Sequence, residues 1–123
     1  MKVIICGAGQ VGFGIARQLV SERNSVTVVD QSPSLIANIS ETLDVKALVG
    51  HGSHPDVLDR AGAKEADMLI AVTFSDEVNM VAAQIAHSLF DVPLKVARVR
   101  AQSYLDPAWR DLFSRKHMPI DVI

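Results

Sequence analysis

A short apolar segment at residues 3–6 runs directly into a glycine-rich turn, and the turn opens a helical pattern. The segment reads Val-Ile-Ile-Cys and is rich in the β-branched residues that favour buried strands. The apolar residues Val11, Ile15 and Leu19 then recur at the spacing of one helix face. This part of the chain therefore predicts a buried strand, a tight turn and an amphipathic helix in direct succession.

The same alternation of short apolar runs and helical stripes continues along the chain. Helices alternate with further predicted strands over residues 26–30, 45–49, 68–72, 95–99 and 119–123. Short strands that alternate with helices form right-handed crossovers and a parallel sheet covered on both faces. We therefore expect one α/β domain over residues 1–123 with a doubly wound Rossmann fold, that is, a six-stranded parallel sheet of order 3-2-1-4-5-6 with helices on both faces.

The composition fits a folded domain and excludes several classes of function. Hydrophobic residues make up 49% of the 123 residues and charged residues 21%, which are ordinary values for a globular domain. The net charge is −2, so no overall positive field draws the protein to nucleic acid. The single cysteine cannot form a disulfide within the chain, and no apolar run approaches the roughly 18 residues of a membrane span. We expect a cytoplasmic domain that neither binds nucleic acid nor inserts into a membrane.

The glycine-rich turn has the spacing with which many proteins bind a pyrophosphate, Gly-x-Gly-x-x-Gly. Gly7 permits the tight turn, Gly9 leaves the backbone open to phosphates, and Gly12 lets the helix approach the sheet. The unpaired amides and the positive end of the helix then attract phosphate, and we expect Gln10 and Val11 to belong to the same site. The alternative is a glycine turn that binds no ligand.

Asp30 ends the second predicted strand, eighteen positions after Gly12, the last glycine of the turn. An acid at this place accepts hydrogen bonds from ribose hydroxyls and repels a 2′-phosphate. The next residues, Gln-Ser-Pro from Gln31, contain no arginine that would neutralise such a phosphate. We therefore predict a site for NAD, NADH or an adenine nucleotide rather than NADP, with Asp30 and Gln31 in it. The alternative is that Asp30 only caps the next turn.

Two arginines, Arg98 and Arg100, lie near the carboxyl end of the fifth predicted strand. Period-two alternation places both on one face, and central parallel strands are normally buried there. Buried guanidinium groups need an anionic partner, and phosphate accepts two parallel hydrogen bonds from arginine. The alternative is a structural salt bridge with a neighbouring acid. Because Asp76 and Glu77 would repel phosphate at the fourth-strand helix, we expect phosphates over the first helix and Thr73 at the distal part of the ligand.

The loop after the third predicted strand contains two histidines, His51 and His54, in the sequence Gly-His-Gly-Ser-His-Pro. Their spacing matches no zinc motif, and we predict no metal site there. The preferred interpretation places His51, Gly52 and Ser53 beside an adenine base, at the carboxyl end of the third strand.

No motif in the sequence indicates catalysis. The single tyrosine, Tyr104, has no lysine four residues later, and no nucleophile elbow, Walker lysine or cluster of metal-binding carboxylates occurs. A nucleotide-binding domain without a substrate domain is more plausible as a sensor than as a dehydrogenase. Two other interpretations stay open: the cofactor-binding domain of an NAD-dependent oxidoreductase, and an assembly scaffold that binds no ligand.

Longer segments of the sequence resemble one family, the amino-terminal regulator-of-potassium-conductance (RCK) domain, also called the KTN or TrkA-N domain. The resemblance covers nearly the whole chain and is carried by residues 7–12, 28–30, 50–55, 66–80 and 98–100. It implies binding of NAD(H) and of ATP or ADP, with an arginine at a position like Arg98 or Arg100 sensing phosphate. It also implies dimers that assemble into a ring beneath a potassium-transporting membrane subunit of the TrkH type, at the inner face of the membrane, where nucleotide gates potassium uptake.

The sequence departs from many members of this family after the third strand. Those members carry Gly-Asp-Ala-Thr where this chain has Gly-His-Gly-Ser from Gly50 to Ser53, so their adenine contacts do not transfer directly. Family members also normally continue into a carboxy-terminal ligand-binding subdomain. The resemblance therefore implies that this chain is either an excised domain or a short relative.

Overall fold

Within residues 1–121 and 123, which the computed structural model describes, parallel strands form one sheet with helices on both faces. The strands are β1 (Lys2–Cys6), β2 (Ser25–Asp30), β3 (Lys46–Val49), β4 (Met68–Ala71) and β5 (Leu94–Ala97). Their order across the sheet is β3-β2-β1-β4-β5, and each of these neighbouring pairs is parallel. The predicted Rossmann fold is confirmed, with the first five strands in the predicted order.

A helix follows each strand, and those after β1 to β4 lead into the next strand. The helices are α1 (Gln10–Ser21), α2 (Pro33–Thr42), α3 (Pro55–Arg60), α4 (Asp76–Phe90) and α5 (Gln102–Leu105). Ser32 and Ser75 cap α2 and α4, since each hydroxyl accepts the backbone amide three residues later at 3.2 Å. Short 3₁₀ turns follow α3 and α5, at Ala63–Glu65 and Pro107–Phe113. Among the described residues, no helix has the length and apolar character that crossing a membrane requires.

The central strand β1 is apolar on both sides because helices cover both faces of the sheet. Val3 and Ile5 pack with α1 and α2 on one face, whereas Ile4 and Cys6 pack with α3 and α4 on the other. All four side chains are at most 2% exposed. The chain leaves β1 and β4 towards opposite faces, and this arrangement opens a crevice at the carboxyl ends of the two strands.

The predicted sixth strand at residues 119–123 falls partly on residue 122, outside the described residues. In the described part of this segment, the amide of Asp121 donates to the carbonyl oxygen of Lys95 in β5 at 2.9 Å. The amide of Lys95 donates to the carboxylate of Asp121 at 2.7 Å, and its ammonium lies 3.5 Å from the same carboxylate. The side chain of Asp121 thus accepts a hydrogen bond that a neighbouring strand would accept through its backbone. Residues 119–121 therefore lie along the edge of the sheet but do not form a strand.

Candidate functional site

A crevice of about 420 Å³ lies at the carboxyl ends of the strands and brings together residues from separate parts of the chain. Most of the predicted site residues line it: Gly7, Gly9, Gln10, Val11, Asp30, Gln31, Gly52, Thr73 and Arg98. The other predicted residues lie outside its lining: Gly12, His51, Ser53 and Arg100. The position agrees with the general rule that ligands of open α/β sheets bind where the strand order reverses, here between β1 and β4.

The three glycines of the turn have different geometric roles. Gly7 has a φ of +119°, which L residues with a side chain rarely adopt, and a Cβ there would lie 2.9 Å from the carbonyl oxygen of Val72. A Cβ at Gly12 would overlap the carbonyl oxygen of Gly7, so this glycine allows α1 to approach the strand end. At Gly9 the nearest atom to an added Cβ is the Cζ of Phe74 at 3.9 Å, so the backbone is open to the crevice.

The amino end of α1 opens into the crevice without a side-chain cap. Gly9 is its N-cap residue, and the structure as described shows no side-chain hydrogen bond there. The first turn of α1 also contains no acidic residue, whereas α4 begins with Asp76 and Glu77. Amides in the first turn of a helix have no partner within the helix. They can therefore donate hydrogen bonds to an anion such as phosphate.

Asp30 ends β2 with its carboxylate turned towards the glycine-rich turn. One oxygen accepts the amide of Ala8 and the other accepts the amide of Ser32, both at 2.8 Å. The second contact is the turn-capping role that the alternative interpretation described. An ionised carboxylate has about four acceptor positions, so about two remain for the hydroxyl groups of a ligand. The turn-capping and ribose-binding roles are therefore compatible in this geometry.

Asn79, which the sequence analysis did not single out, holds the wall of the crevice that follows β4 and β5. Its side chain is fully buried, and its oxygen accepts hydrogen bonds from the amide and the hydroxyl of Thr73 at 2.9 and 2.7 Å. Its nitrogen donates to the carbonyl oxygens of Thr73 and Arg98 at 3.2 and 2.8 Å. One amide thus joins the ends of two neighbouring strands. In the sequence, the one indication of this role was that a polar residue stands between the apolar residues Val78 and Met80 of a predicted helix.

The two arginines follow β5 and have different environments. Arg98 is partly buried, lines the crevice and forms no ion pair with the described residues. Arg100 is exposed, and its Nη2 donates to the carbonyl oxygen of Phe74 at 3.4 Å. The carboxylate of Asp76 accepts the backbone amides of Arg100 and Ala101 at 3.0 and 2.8 Å, and these bonds lower the pKa of Asp76. The expectation that both arginines share one face of the fifth strand is wrong, because β5 ends at Ala97 and both arginines follow it.

The loop after β3 places Gly52 in the crevice and its histidines beside it. A Cβ at Gly52 would lie 2.9 Å from the Cβ of Cys6, whose thiol pKa is raised by burial to about 12. The rings of His51 and His54 stack with centroids 4.3 Å apart, and Nδ1 of His51 accepts the amide of Ser53 at 3.2 Å. The contact of His51 and Ser53 with an adenine base stays a prediction.

Phe74 is the second residue of the crevice that the sequence analysis did not single out. It follows β4 and lines the crevice, yet it is 82% exposed. An apolar residue next to a buried strand is normally expected to be buried as well. In the sequence, only the position of Phe74 directly after a predicted strand could have indicated that it lines the crevice.

The fold and the crevice together define a domain of the Rossmann type. Its glycine-rich turn, its uncapped helix and the acid that ends β2 are features of that class. The family model of the TrkA-N domain matches residues 3–117, so the chain belongs to this family. The resemblance noted from the sequence is thereby confirmed.

Known relatives and solved structures agree with this assignment. The Trk system potassium uptake protein TrkA of Azorhizobium caulinodans is 68% identical over 123 residues, which is 100% of this chain and 27% of that protein. The Kef CTD of Shewanella denitrificans in its AMP-bound form has a TM-score of 0.72 at 27% identity, covering 89% of this chain and 68% of that chain. The TrkA-N domain of inner membrane protein ybaL from Escherichia coli has a TM-score of 0.80 at 16% identity, covering 98% and 87%, and supports the fold alone.

Proposed function

We propose that this chain is a nucleotide-sensing regulatory domain of a potassium uptake transporter, binding NAD(H) or ATP and ADP in the crevice. One juxtaposition supports the proposal: the open end of α1, Asp30 and Arg98 line a single crevice. These groups are suited to phosphate, to ribose hydroxyls and to a second phosphate, respectively. The similarity to a Kef domain solved with AMP supports an adenosine ligand.

The proposal extends from the crevice to an assembly with a potassium transporter. The chain spans 27% of the related TrkA protein, whose name supports a role in potassium uptake. We infer that the nucleotide acts on a ring of dimers beneath a membrane pore subunit of the TrkH type, at the inner face of the membrane. A ligand shifts such an assembly only by the difference in its affinity for two ring shapes. Scattering profiles of the full-length assembly should therefore differ between NADH and ATP. Identical profiles would contradict the proposal that the nucleotide changes the shape of the ring.

Regulation is favoured over catalysis by the placement of the single tyrosine, Tyr104. Its hydroxyl donates to the carboxylate of Glu77 at 3.0 Å, and this bond raises the pKa of Tyr104. Tyr104 lies outside the lining of the crevice, so the hydroxyl is not placed to transfer a proton to a substrate there. The alternative, an NAD-dependent oxidoreductase, requires steady consumption of NADH with a carbonyl substrate, which a spectrophotometric assay measures directly.

Calorimetric competition among NADH, NAD, ATP and ADP tests the binding itself. We expect these ligands to compete for one site per chain, and NADPH to bind more weakly because Asp30 repels its 2′-phosphate. A folded protein that ignores all of them at millimolar concentration would contradict the proposed function.

Asp30→Asn provides the matching test of the ribose contact. The variant retains one acceptor oxygen but loses the charge, so NADH affinity should fall about 10-fold to 100-fold. Ser32→Ala is the control, because it removes the hydroxyl that caps α2 while keeping the amide bound to Asp30. The control should lose about 1 kcal/mol of stability and no NADH affinity. Equal NADH affinity in Asp30→Asn and the parent protein would exclude Asp30 from ligand contact.

A further inference from the structure

Among the described residues, Phe74 has the most exposed large apolar side chain, and it lies in the crevice. Its exposure is 82%, and it belongs to the lining that also contains Gly9 and Arg98. A single exposed apolar residue is ordinary on a protein surface and needs no explanation by itself. An exposed ring inside a ligand crevice is different, because a ligand that fills the crevice removes the ring from water.

The Phe74 ring reaches towards the glycine-rich turn. Its Cζ would lie 3.9 Å from a Cβ placed on Gly9, which is an ordinary van der Waals separation. Gly9 is the N-cap residue of α1, where the proposed function places phosphate. The ring therefore lies within contact distance of a group attached to that phosphate.

The strand order divides the crevice into two sides. The Asp30 side consists of Asp30 and Gln31 after β2, and the Phe74 side consists of residues 73–75, Val78 and Arg98 after β4 and β5. The turn after β1 lies between the two sides, because β1 lies between β2 and β4. A ligand with its adenosine ribose on Asp30 and its phosphates on the turn continues onto the Phe74 side. AMP ends at the turn, whereas NADH extends beyond it with its nicotinamide riboside.

The backbone that carries the ring is fixed. Asn79 binds both the amide and the carbonyl of the preceding residue, Thr73. The carbonyl oxygen of Phe74 accepts a hydrogen bond from Arg100, and the following residue, Ser75, caps α4. Only the two side-chain torsions of Phe74 need to settle when a ligand arrives, so ordering the ring costs little entropy.

We propose that Phe74 packs against the nicotinamide riboside half of a bound dinucleotide and determines the preference of this crevice for dinucleotides over AMP. The proposal rests on the proposed function, because it takes the phosphate and ribose positions from it. It adds Phe74 as a specificity-determining residue and names the nicotinamide riboside as the part of the ligand that this residue contacts.

The test measures calorimetric affinities of NADH and AMP for the parent protein, Phe74→Ala and Phe74→Tyr. The expected result is a loss of about 10-fold in NADH affinity for Phe74→Ala, with AMP affinity unchanged within about twofold. Phe74→Tyr retains the ring and should bind both ligands like the parent protein. The side chain is exposed, so neither substitution should unfold the domain.

Other outcomes would overturn the proposal in distinguishable ways. Equal losses for NADH and AMP in Phe74→Ala would place the ring on the adenosine or its phosphate. Unchanged NADH affinity, or a change seen only in sedimentation, would assign the ring to no ligand or to a contact between chains. A folded parent protein that binds neither NADH nor AMP would overturn the proposed function together with this inference, whereas the first two outcomes leave the proposed function intact.

Discussion

The Asp30 side and the Phe74 side of the crevice are built by different means. On the Asp30 side, the carboxylate accepts two backbone amides at 2.8 Å, one of them from Ala8 in the neighbouring glycine-rich turn, which leaves no space for a side chain at Gly12. On the Phe74 side, buried Asn79 fixes the backbone, but two side chains extend from it with few partners. Phe74 is mostly exposed, and Arg98 forms no ion pair within the described part of the chain.

Under the proposed function, this difference would separate binding of the part that the ligands share from discrimination between the ligands. Groups held in a fixed geometry bind a fixed part of a ligand at little entropic cost. NADH and ADP share the adenosine diphosphate that would occupy the Asp30 side and the glycine-rich turn. They differ beyond it, where the exposed side chain of Phe74 has the freedom to respond. A sensor needs such a difference, because ligands that make equal contacts in both states shift no equilibrium.

The largest effect is expected at Gly12, where α1 meets the glycine-rich turn. A Cβ there overlaps the carbonyl oxygen of Gly7, a backbone atom that cannot move without opening the turn. Gly12→Ala should lower the free energy of unfolding by about 3 kcal/mol and abolish binding of AMP and NADH alike. Gly14→Ala is the matched control in the same helix, since an added Cβ meets no atom within 4 Å.

Urea denaturation measures both glycine variants. The free energy of unfolding of the control, Gly14→Ala, should rise by about 0.5 to 1 kcal/mol, because alanine loses less backbone entropy in a helix than glycine does. If Gly12→Ala is as stable as the control and binds AMP normally, the Asp30 side is less rigid than its packing indicates.

An intermediate effect is expected from Arg98 on the Phe74 side. Arg98→Gln removes the charge of a residue that lines the crevice, so ADP and NADH should each bind about 10-fold more weakly, and AMP less so. Arg110→Gln is the matched control, because Arg110 is exposed and outside the lining. Calorimetry at low and high salt should show the Arg98 effect shrinking as salt screens the phosphate. Similar losses in both variants would indicate a diffuse charge effect rather than a positioned contact.

The sheet and the Asp30 side could be predicted from the sequence because their signals are local. Residues 3–6 form a continuous apolar run, as a strand buried on both faces requires. The glycine spacing specifies where a backbone must turn tightly, and Asp30 is the acid that ends its strand. Each of these features depends on neighbours within a few residues along the chain.

The Phe74 side could be predicted only in part because its geometry depends on distant residues. The direction of Arg100 is set by Asp76, 24 positions earlier, and no periodic pattern contains that contact. Asn79 is buried because the ends of β4 and β5 present carbonyl and amide groups to it. Helical periodicity alone cannot tell such a residue from one that faces water. Phe74 departs from the ordinary expectation that apolar residues are buried.

The smallest effect concerns Asp76, whose carboxylate holds the segment after β5 next to the Phe74 side. The amides of Arg100 and Ala101 donate to it, and these bonds lower the pKa of Asp76 in the folded protein below that of an unfolded aspartate. The ionised form therefore stabilises the fold above about pH 4, and this contribution is lost as the pH falls through the lowered pKa. Asp76→Asn should reduce stability slightly at pH 7, and its difference from the parent protein should disappear in acid.

Thermal unfolding of Asp76→Asn and the parent protein across this pH range measures that difference, with Glu77→Gln as the control. The control removes a charge from the same helical turn without touching the two amides, so it reports the helix dipole together with the Tyr104 hydrogen bond to Glu77. Parallel pH profiles for Asp76→Asn and the parent protein would show that the amides are held by other means. Because the same segment positions Arg100 against the carbonyl of Phe74, Asp76→Asn should also weaken the binding of NADH more than the binding of AMP. If Asp76→Asn loses affinity for NADH but not for AMP, the segment after β5 supports the Phe74 side of the crevice and not the Asp30 side.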